Sequence, residues 1–264
     1  MTFTRGTRCR TLALKCCAAG VITILGSISG CVSSDPISMD AGAGGVGGTR
    51  GSIGTGVSAA RLAAGARNSH FPLVEGATWI YRHTNPTKPS WDETNTIKST
   101  TYLGRPAFIY SDEEDAQGLR THSTLEVRDS RVFRVYKETA VTGQVALTVT
   151  YDPGFLRFDE AWNADGQTVT LTNNWTQNCV LMSAASKCAP GSIKPGMSTH
   201  IWTVLKASTT VTVPAGTFEA IQIERVAPVK NETTIFWFAA GVGKVREETP
   251  AAQAIEELLS FEIR

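Results

Sequence analysis

The sequence is most informative at first through what it lacks. There is no Gly-x-Ser-x-Gly elbow, so no esterase nucleophile is marked. His70, His83, His122 and His200 lie far apart, and no two share a helical face with a Glu between them, which excludes a zinc protease motif. Asn163, Asp165 and Gly166 match three positions of a calcium loop, but Ala161 and Thr172 stand where its first and twelfth ligands belong. Gly42–Gly48 has the glycine spacing of a phosphate loop without the strand before it or the helix after it. No apolar run reaches the ~20 residues of a bilayer-spanning helix. Basic excess is missing as well. The chain has 25 basic and 24 acidic residues; residues 1–30 hold four of the basic ones and no acid, which leaves 21 against 24, a net of −3. A nucleic-acid partner needs a basic face, so none is expected. Catalytic, metal and cofactor sites are likewise expected to be absent.

What is present begins with a leader. Residues 1–15 carry Arg5, Arg8, Arg10 and Lys15, and residues 16–29 are apolar or small with no charge. That order is the plan of a secretory signal. It ends in Ile28-Ser29-Gly30-Cys31. These four residues resemble the lipobox of bacterial lipoproteins. The resemblance implies a diacylglyceryl thioether on Cys31, cleavage just before it, and a further acyl chain, such as palmitate, on the new N-terminus. Each buried methylene contributes about 0.8 kcal/mol and two chains suffice for stable anchoring, so Cys31 would tie the protein to a membrane. Val32 stands where an Asp would mark inner-membrane retention in Gram-negative cells, which favours the outer membrane within the bacterial envelope. Ordinary secretion, cut near Ala18-Ala19-Gly20 or Ser27-Ile28-Ser29, is the alternative.

Residues 32–56 are mostly Gly, Ser, Ala, Val and Thr, too poor in apolar surface to offset the entropy of ordering. The expected organisation is therefore a signal peptide at 1–30, a lipidated N-terminus and flexible linker at 31–68, and an antiparallel β domain at 69–264. Cysteine usage agrees with export. Cys9, Cys16 and Cys17 leave with the leader and Cys31 takes the lipid, so Cys179 and Cys188 remain as an even pair. In an oxidising compartment such a pair forms a disulfide, contributing up to about 3 kcal/mol. A redox or metal pair is the alternative, without a Cys-x-x-Cys spacing to favour it.

From Phe71 onward the hydrophobic period is two. Thr78–His83, Thr94–Leu103, Ala107–Tyr110, Leu119–Arg128, Arg131–Lys137 and Gln144–Tyr151 read as strands. Gln167–Thr172, His200–Val213, Thr217–Val226, Thr233–Ala239 and Lys244–Glu248 continue the series, and a last strand follows a turn or helical piece at 250–256. Asp152-Pro153-Gly154 reads as a turn, and residues 173–199 as an inserted polar loop holding the cysteines. Val213-Pro214-Ala215-Gly216 reads as a hairpin turn. Short strands at this spacing predict an all-β, mainly antiparallel fold: a curved open sheet, half-barrel or β-roll of roughly ten or more strands.

Three stretches carry a second resemblance. Phe71-Pro72-Leu73-Val74-Glu75-Gly76-Ala77-Thr78-Trp79-Ile80-Tyr81 looks like the opening of a group of bacterial envelope lipoproteins of unknown function. Val213–Phe218 is similar to that group's central turn, and Trp237-Phe238-Ala239-Ala240-Gly241-Val242-Gly243-Lys244-Val245 to its late motif. The resemblance implies a curved antiparallel sheet, loosely related to the open half-barrels of lipoprotein carriers such as LolA and LolB. It carries no chemistry.

Several polar and aromatic residues allow two readings. Asp112-Glu113-Glu114-Asp115 is a charged loop or a weak calcium site. Trp91, Trp162 and Trp175 either stack on sugars or cap the sheet. The leading expectation is a non-catalytic, membrane-anchored protein that binds a hydrophobic or extended ligand on the concave face of its sheet. The alternatives are an interaction module meeting an envelope protein partner or the cell wall, and an enzyme acting on glycans through acidic and Trp residues, although paired carboxylates such as Asp159 and Glu160 are too common to mark a glycosidase.

Overall fold

The computed structural model describes residues 68–115, 118–181 and 188–263. The expected leader at 1–30, Cys31 and the linker up to residue 67 lie outside them. Twelve strands follow one another: β1 Thr78–Asn85, β2 Lys88–Tyr102, β3 Arg105–Asp112, β4 Leu119–Arg128, β5 Arg131–Val141 and β6 Gln144–Asp159. Then come β7 Thr168–Cys179, β8 Ile193–Val213, β9 Gly216–Ala227, β10 Glu232–Ala239, β11 Gly243–Thr249 and β12 Ala254–Glu262. Each strand pairs antiparallel with the next, and β1 pairs with β12 from Thr78↔Glu262 to Thr84↔Ile255. The expected all-β antiparallel architecture is observed, and its curvature runs to closure as a barrel.

The turns have local causes. Leu103-Gly104 and Thr142-Gly143 both hold positive φ at two successive residues, the backbone of the two-residue hairpin whose twist matches that of the strands it joins. The 3-10 turns Pro228–Lys230 and Pro250–Ala252 each begin on a proline and end on a left-handed residue, Asn231 and Gln253. Outward positions such as Arg82, Asp92, Thr96, Lys98, Thr212 and Glu219 are polar, while Tyr81, Ile97, Val204 and Ile223 point inward and are buried. This is the inverse of a membrane-spanning barrel, whose outer band is apolar.

The meander puts alternate loops at opposite ends. At one end, the base, residues 69–77 run across the opening before β1 begins. Glu160 anchors this strap by accepting from Ser69 Oγ (2.5 Å), His70 N (3.3 Å) and Phe71 N (3.2 Å). Gly241 N donates to the Ser69 carbonyl at 2.8 Å, and Trp79 Nε1 donates to the Val242 carbonyl at 2.6 Å. Gly243 holds φ +101°, and a Cβ there would sit 3.4 Å from Pro72 Cδ. The first and last of the three resemblance motifs, some 160 residues apart, thus meet to close the base. Rings fill the space above them: Phe158 lies 4.8 Å from Phe238 and 5.2 Å from Trp162, and Trp202 lies 5.8 Å from both Trp162 and Phe236. Burying each such side chain stabilises the fold by about 1.5–3 kcal/mol.

Two segments differ from the sequence reading. Residues 173–179 and 193–199 are not an inserted loop but the continuation of β7 and β8, paired from Asn173↔Ser198 to Asn178↔Ile193. Asp152-Pro153-Gly154 is no turn either. It lies within β6, in a bulge between the partner pairs Tyr136↔Thr150 and Arg134↔Phe155. Bulges absorb an unpaired stretch and bend the strand that carries it. After Asp152↔Asn174, β6 parts from β7 and stays with β5.

Candidate functional site

Above the packed base the inward residues change character. On β1, Trp79 and Tyr81 are followed by His83; on β12, Leu258 is preceded by Glu256; on β9, Ile221 and Ile223 are followed by Arg225. Each change occurs on the same strand face as the core residues, so these charges point into the barrel. Lys244 is the hub. Its Nζ lies 2.7 Å from Glu247 Oε2 and 2.7 Å from Glu256 Oε1, and 5.1 Å from the centre of the Tyr81 ring. Tyr81 Oη donates to the Lys244 carbonyl at 2.8 Å, which fixes the backbone beneath the ammonium. His83 stands between two carboxylates, with Nε2 3.4 Å from Glu93 Oε2 and Nδ1 3.9 Å from Glu256 Oε2. Its ring stacks on Trp91 at 4.6 Å and 3°. Asn95 Nδ2 donates to Glu93 Oε1 at 3.0 Å.

The network is deep but not sealed. Side chains of His83, Lys244, Glu247 and Glu256 keep between 12 and 16% of their surface accessible. Because they point inward, the upper lumen has room for at least solvent-sized groups. The polar end of the barrel is therefore a mouth.

Environment sets the charge states. Burial works against ionisation of Glu247, but Lys244, with Arg225 and Arg157 behind it, holds this carboxyl below its ordinary range. Glu256 ends above its range, because burial and the neighbouring Glu247 outweigh Lys244. Burial also presses on His83 and Glu93, yet their mutual pairing raises the histidine and lowers the glutamate. Asp112 is raised to about 7 by burial and then by Glu93, although it accepts from Thr121 N. Burial raises Tyr81 and Tyr110 well above the ordinary phenol range.

The residues singled out from sequence fall elsewhere or act differently. Cys179 and Cys188 form the expected disulfide at the mouth end, with Cα atoms 6.1 Å apart. Trp162 and Trp175 are buried in the two apolar clusters, so neither ring is free to stack on a sugar. Trp91 remains at the mouth on His83. Asp159 and Glu160 are structural groups of the base: Asp159 pairs with Arg131 at 2.7 Å, and both carboxyls are held below their range against the pull of burial. Among the described residues no group of three or more His, Cys, Asp or Glu is placed to hold a metal ion, the Asp112–Asp115 run included. His70 stacks on Phe158 at 5.7 Å. Sequence reasoning missed Glu93, Lys244, Glu247 and Glu256. The available signal was parity, since Glu93 falls on the same strand face as Asn95 and Ile97, and Glu256 on the same face as Leu258.

No protein-family model and no curated protein matches the chain. Two crystal structures resemble it. One is a protein from Bacteroides fragilis described as exported, with a YmcC-like fold; it is 11% identical, with 73% of this chain and 98% of that chain covered and a TM-score of 0.41. The other is a protein from Parabacteroides distasonis described as a lipoprotein; it is 13% identical, with 74% and 99% covered and a TM-score of 0.30.

Proposed function

We propose that this chain is a lipid-anchored protein of the bacterial envelope whose barrel binds a polar ligand at its mouth and performs no chemistry on it. The anchor is the lipid on Cys31. The observation that carries the binding reading is the inward, still accessible ion network of His83, Glu93, Lys244, Glu247 and Glu256 above a base filled with rings. A wholly apolar ligand finds its natural surface, the inward aromatic residues, already occupied by one another. An extended ligand with charged groups fits the upper lumen better. The described chain enters at the base, the opposite end of the barrel from the mouth.

Two measurements test this. Cys31→Ser should release the full chain from membranes after a salt and carbonate wash. Native mass spectrometry of the intact chain should show a retained polar molecule that Glu256→Gln loses. A lipid retained instead, or nothing retained by wild type, contradicts the ligand reading.

The glycan-enzyme reading draws on Asp112 and Glu256, the two raised carboxyls. Each shift is accounted for by burial and a neighbouring acid, and each carboxyl is engaged, by Thr121 N and by Lys244. Hydrolysis of cell-wall glycans by wild type, abolished in Asp112→Asn, would establish it over the binding reading.

A further inference from the structure

The wall opposite the acidic network, built from β5 to β9, has the reverse chemistry. Phe155 is its centre. The His200 ring meets it edge-on at 4.9 Å, and the guanidinium carbons of Arg134 and Arg225 both lie 5.8 Å from the ring centre. Arg225 is further held over Trp202 at 5.7 Å and Phe236 at 5.3 Å, and donates to Thr234 Oγ1 at 2.8 Å. Its outer partner, Glu232, is 3.6 Å away and partly exposed. Asn173 and Trp175 share one face of β7. His200 follows on β8, diagonal to Asn173 through the pairs Leu171↔His200 and Asn173↔Ser198.

Seven buried side-chain nitrogen or oxygen atoms lack a partner among the described residues, and four of them belong to this wall: Arg134 Nε, Asn173 Nδ2, Trp175 Nε1 and His200 Nδ1. Asn173, Trp175 and His200 are 4, 5 and 7% exposed. Buried donors without acceptors are costly and rare, and each one needs a reason. Three of these atoms can only donate, and His200 Nδ1 donates in one tautomer. The ladder between β6 and β7 also ends here, at Asp152↔Asn174.

We infer that Arg134, Arg225 and His200 around Phe155, with Asn173 and Trp175 on the adjoining strand β7, form a subsite for an oxyanion, a carboxylate or phosphate group. The inference rests on the reading of the barrel as a polar-ligand binder and assigns the ligand's anionic end to this wall. Guanidinium groups match the geometry of such anions, and their stacking on rings preorganises them. Burial, followed by the charges of Arg225 and Lys230, lowers His200 to about 4, so at neutral pH the imidazole is uncharged. It would contribute a hydrogen bond, while the two arginines contribute the charge.

The test uses the full chain in detergent, titrated separately with inorganic phosphate and acetate, and read by the His200 ring and Asn173 amide NMR signals. Saturable shifts are expected with one or both anions, and the stronger of the two identifies the group. Arg134→Met and Asn173→Leu should each weaken binding by tenfold or more. Lys206→Met, which removes one exposed cation on the outer face of β8, should leave it unchanged. No saturable shift with either anion, or equal weakening in all three variants, overturns the subsite. If a polar molecule is nonetheless retained in native mass spectra through Glu256, the wider binding reading stands and only the assignment of its anionic end has failed.

Discussion

The base and the mouth of this barrel are built on the same strands and obey different rules. At the base, Trp79, Phe158, Trp162, Phe236 and Phe238 interlock, and the strap at 69–77 closes over them. What matters there is volume. A few residues further along the same faces, at His83, Arg225, Glu247 and Glu256, what matters is the balance of charge. A change harmless at one end should be damaging at the other.

The largest effect is expected at the junction of the two regions. Lys244→Met keeps the length and apolar stem of the side chain but leaves Glu247 and Glu256 facing each other with their shared counter-ion gone. Breaking a buried pair in this way costs about 3–5 kcal/mol. The triple change Lys244→Met, Glu247→Gln, Glu256→Gln should recover much of that loss, since all three charges go together. Urea unfolding of the single and triple variants checks both halves, and a triple variant no more stable than the single would show that volume governs here too.

At the base the order reverses. Phe238→Ala should cost about 3–5 kcal/mol, because the ring is buried against Phe158, Phe236 and Phe71 and the cavity cannot collapse. Phe238→Leu should recover much of the loss. Thermal unfolding of both would test the claim, and equal losses would mean that ring geometry counts for more than volume.

How much of this was legible beforehand follows the same division. The strands of the base announce themselves, because Val211 and Val213 alternate with Thr210 and Thr212, and Trp79 with Tyr81 and Phe236 with Phe238 recur at period two in runs of aromatic and β-branched residues. Strand halves at the mouth did not. Asp152-Pro153-Gly154 reads as a turn, and the stretches holding Pro89 and Pro195 are not read as strand, yet each proline sits where no ladder donor is required. Pro195 lies on a part of β8 that pairs with β7 alone, because the β9 pairing begins only at Ile201↔Val226. Pro89 lies in the irregularity between His83↔Trp91 and Asn85↔Lys88, and Pro153 lies in the β6 bulge. Prolines are tolerated at such edges and bulges. The ion network was hidden for another reason. His83 and Lys244 reach the same carboxylate from positions 161 residues apart, and only barrel closure through β1 and β12 brings them together.

A smaller effect separates the two regions by pH. Asp112 titrates near 7 in the folded chain against 3.8 when free. The folded state therefore holds this proton more tightly than the unfolded state does. The stability it contributes is complete below pH 3.8 and is lost as pH rises through 7, at a slope of at most about 1.4 kcal/mol per unit. Asp112→Asn keeps an acceptor for Thr121 N and removes the titration. The stability of the variant relative to wild type should rise between pH 4 and 8, as measured by urea unfolding at each pH. A constant difference would show that Asp112 is not held protonated.

The smallest effect is the control for all the others. Arg82 and Asp92 make a two-pronged pair, Nε to Oδ1 at 2.9 Å and Nη2 to Oδ2 at 3.0 Å, against 2.7 Å for each contact of Lys244. They belong to the same two strands that carry His83 and Glu93, one residue away on the other face. Yet both side chains are about half exposed, and exposed pairs contribute little because water already solvates each partner and salt screens them. Arg82→Met should leave the melting temperature unchanged within error and insensitive to added salt. The physical content of the comparison is that geometry alone does not make an ion pair important. One residue's shift in register moves a charge from water to the lumen, and only there does removing its partner strand it. A destabilisation by Arg82→Met approaching that of Lys244→Met would mean that the sheet's two faces are not electrostatically distinct.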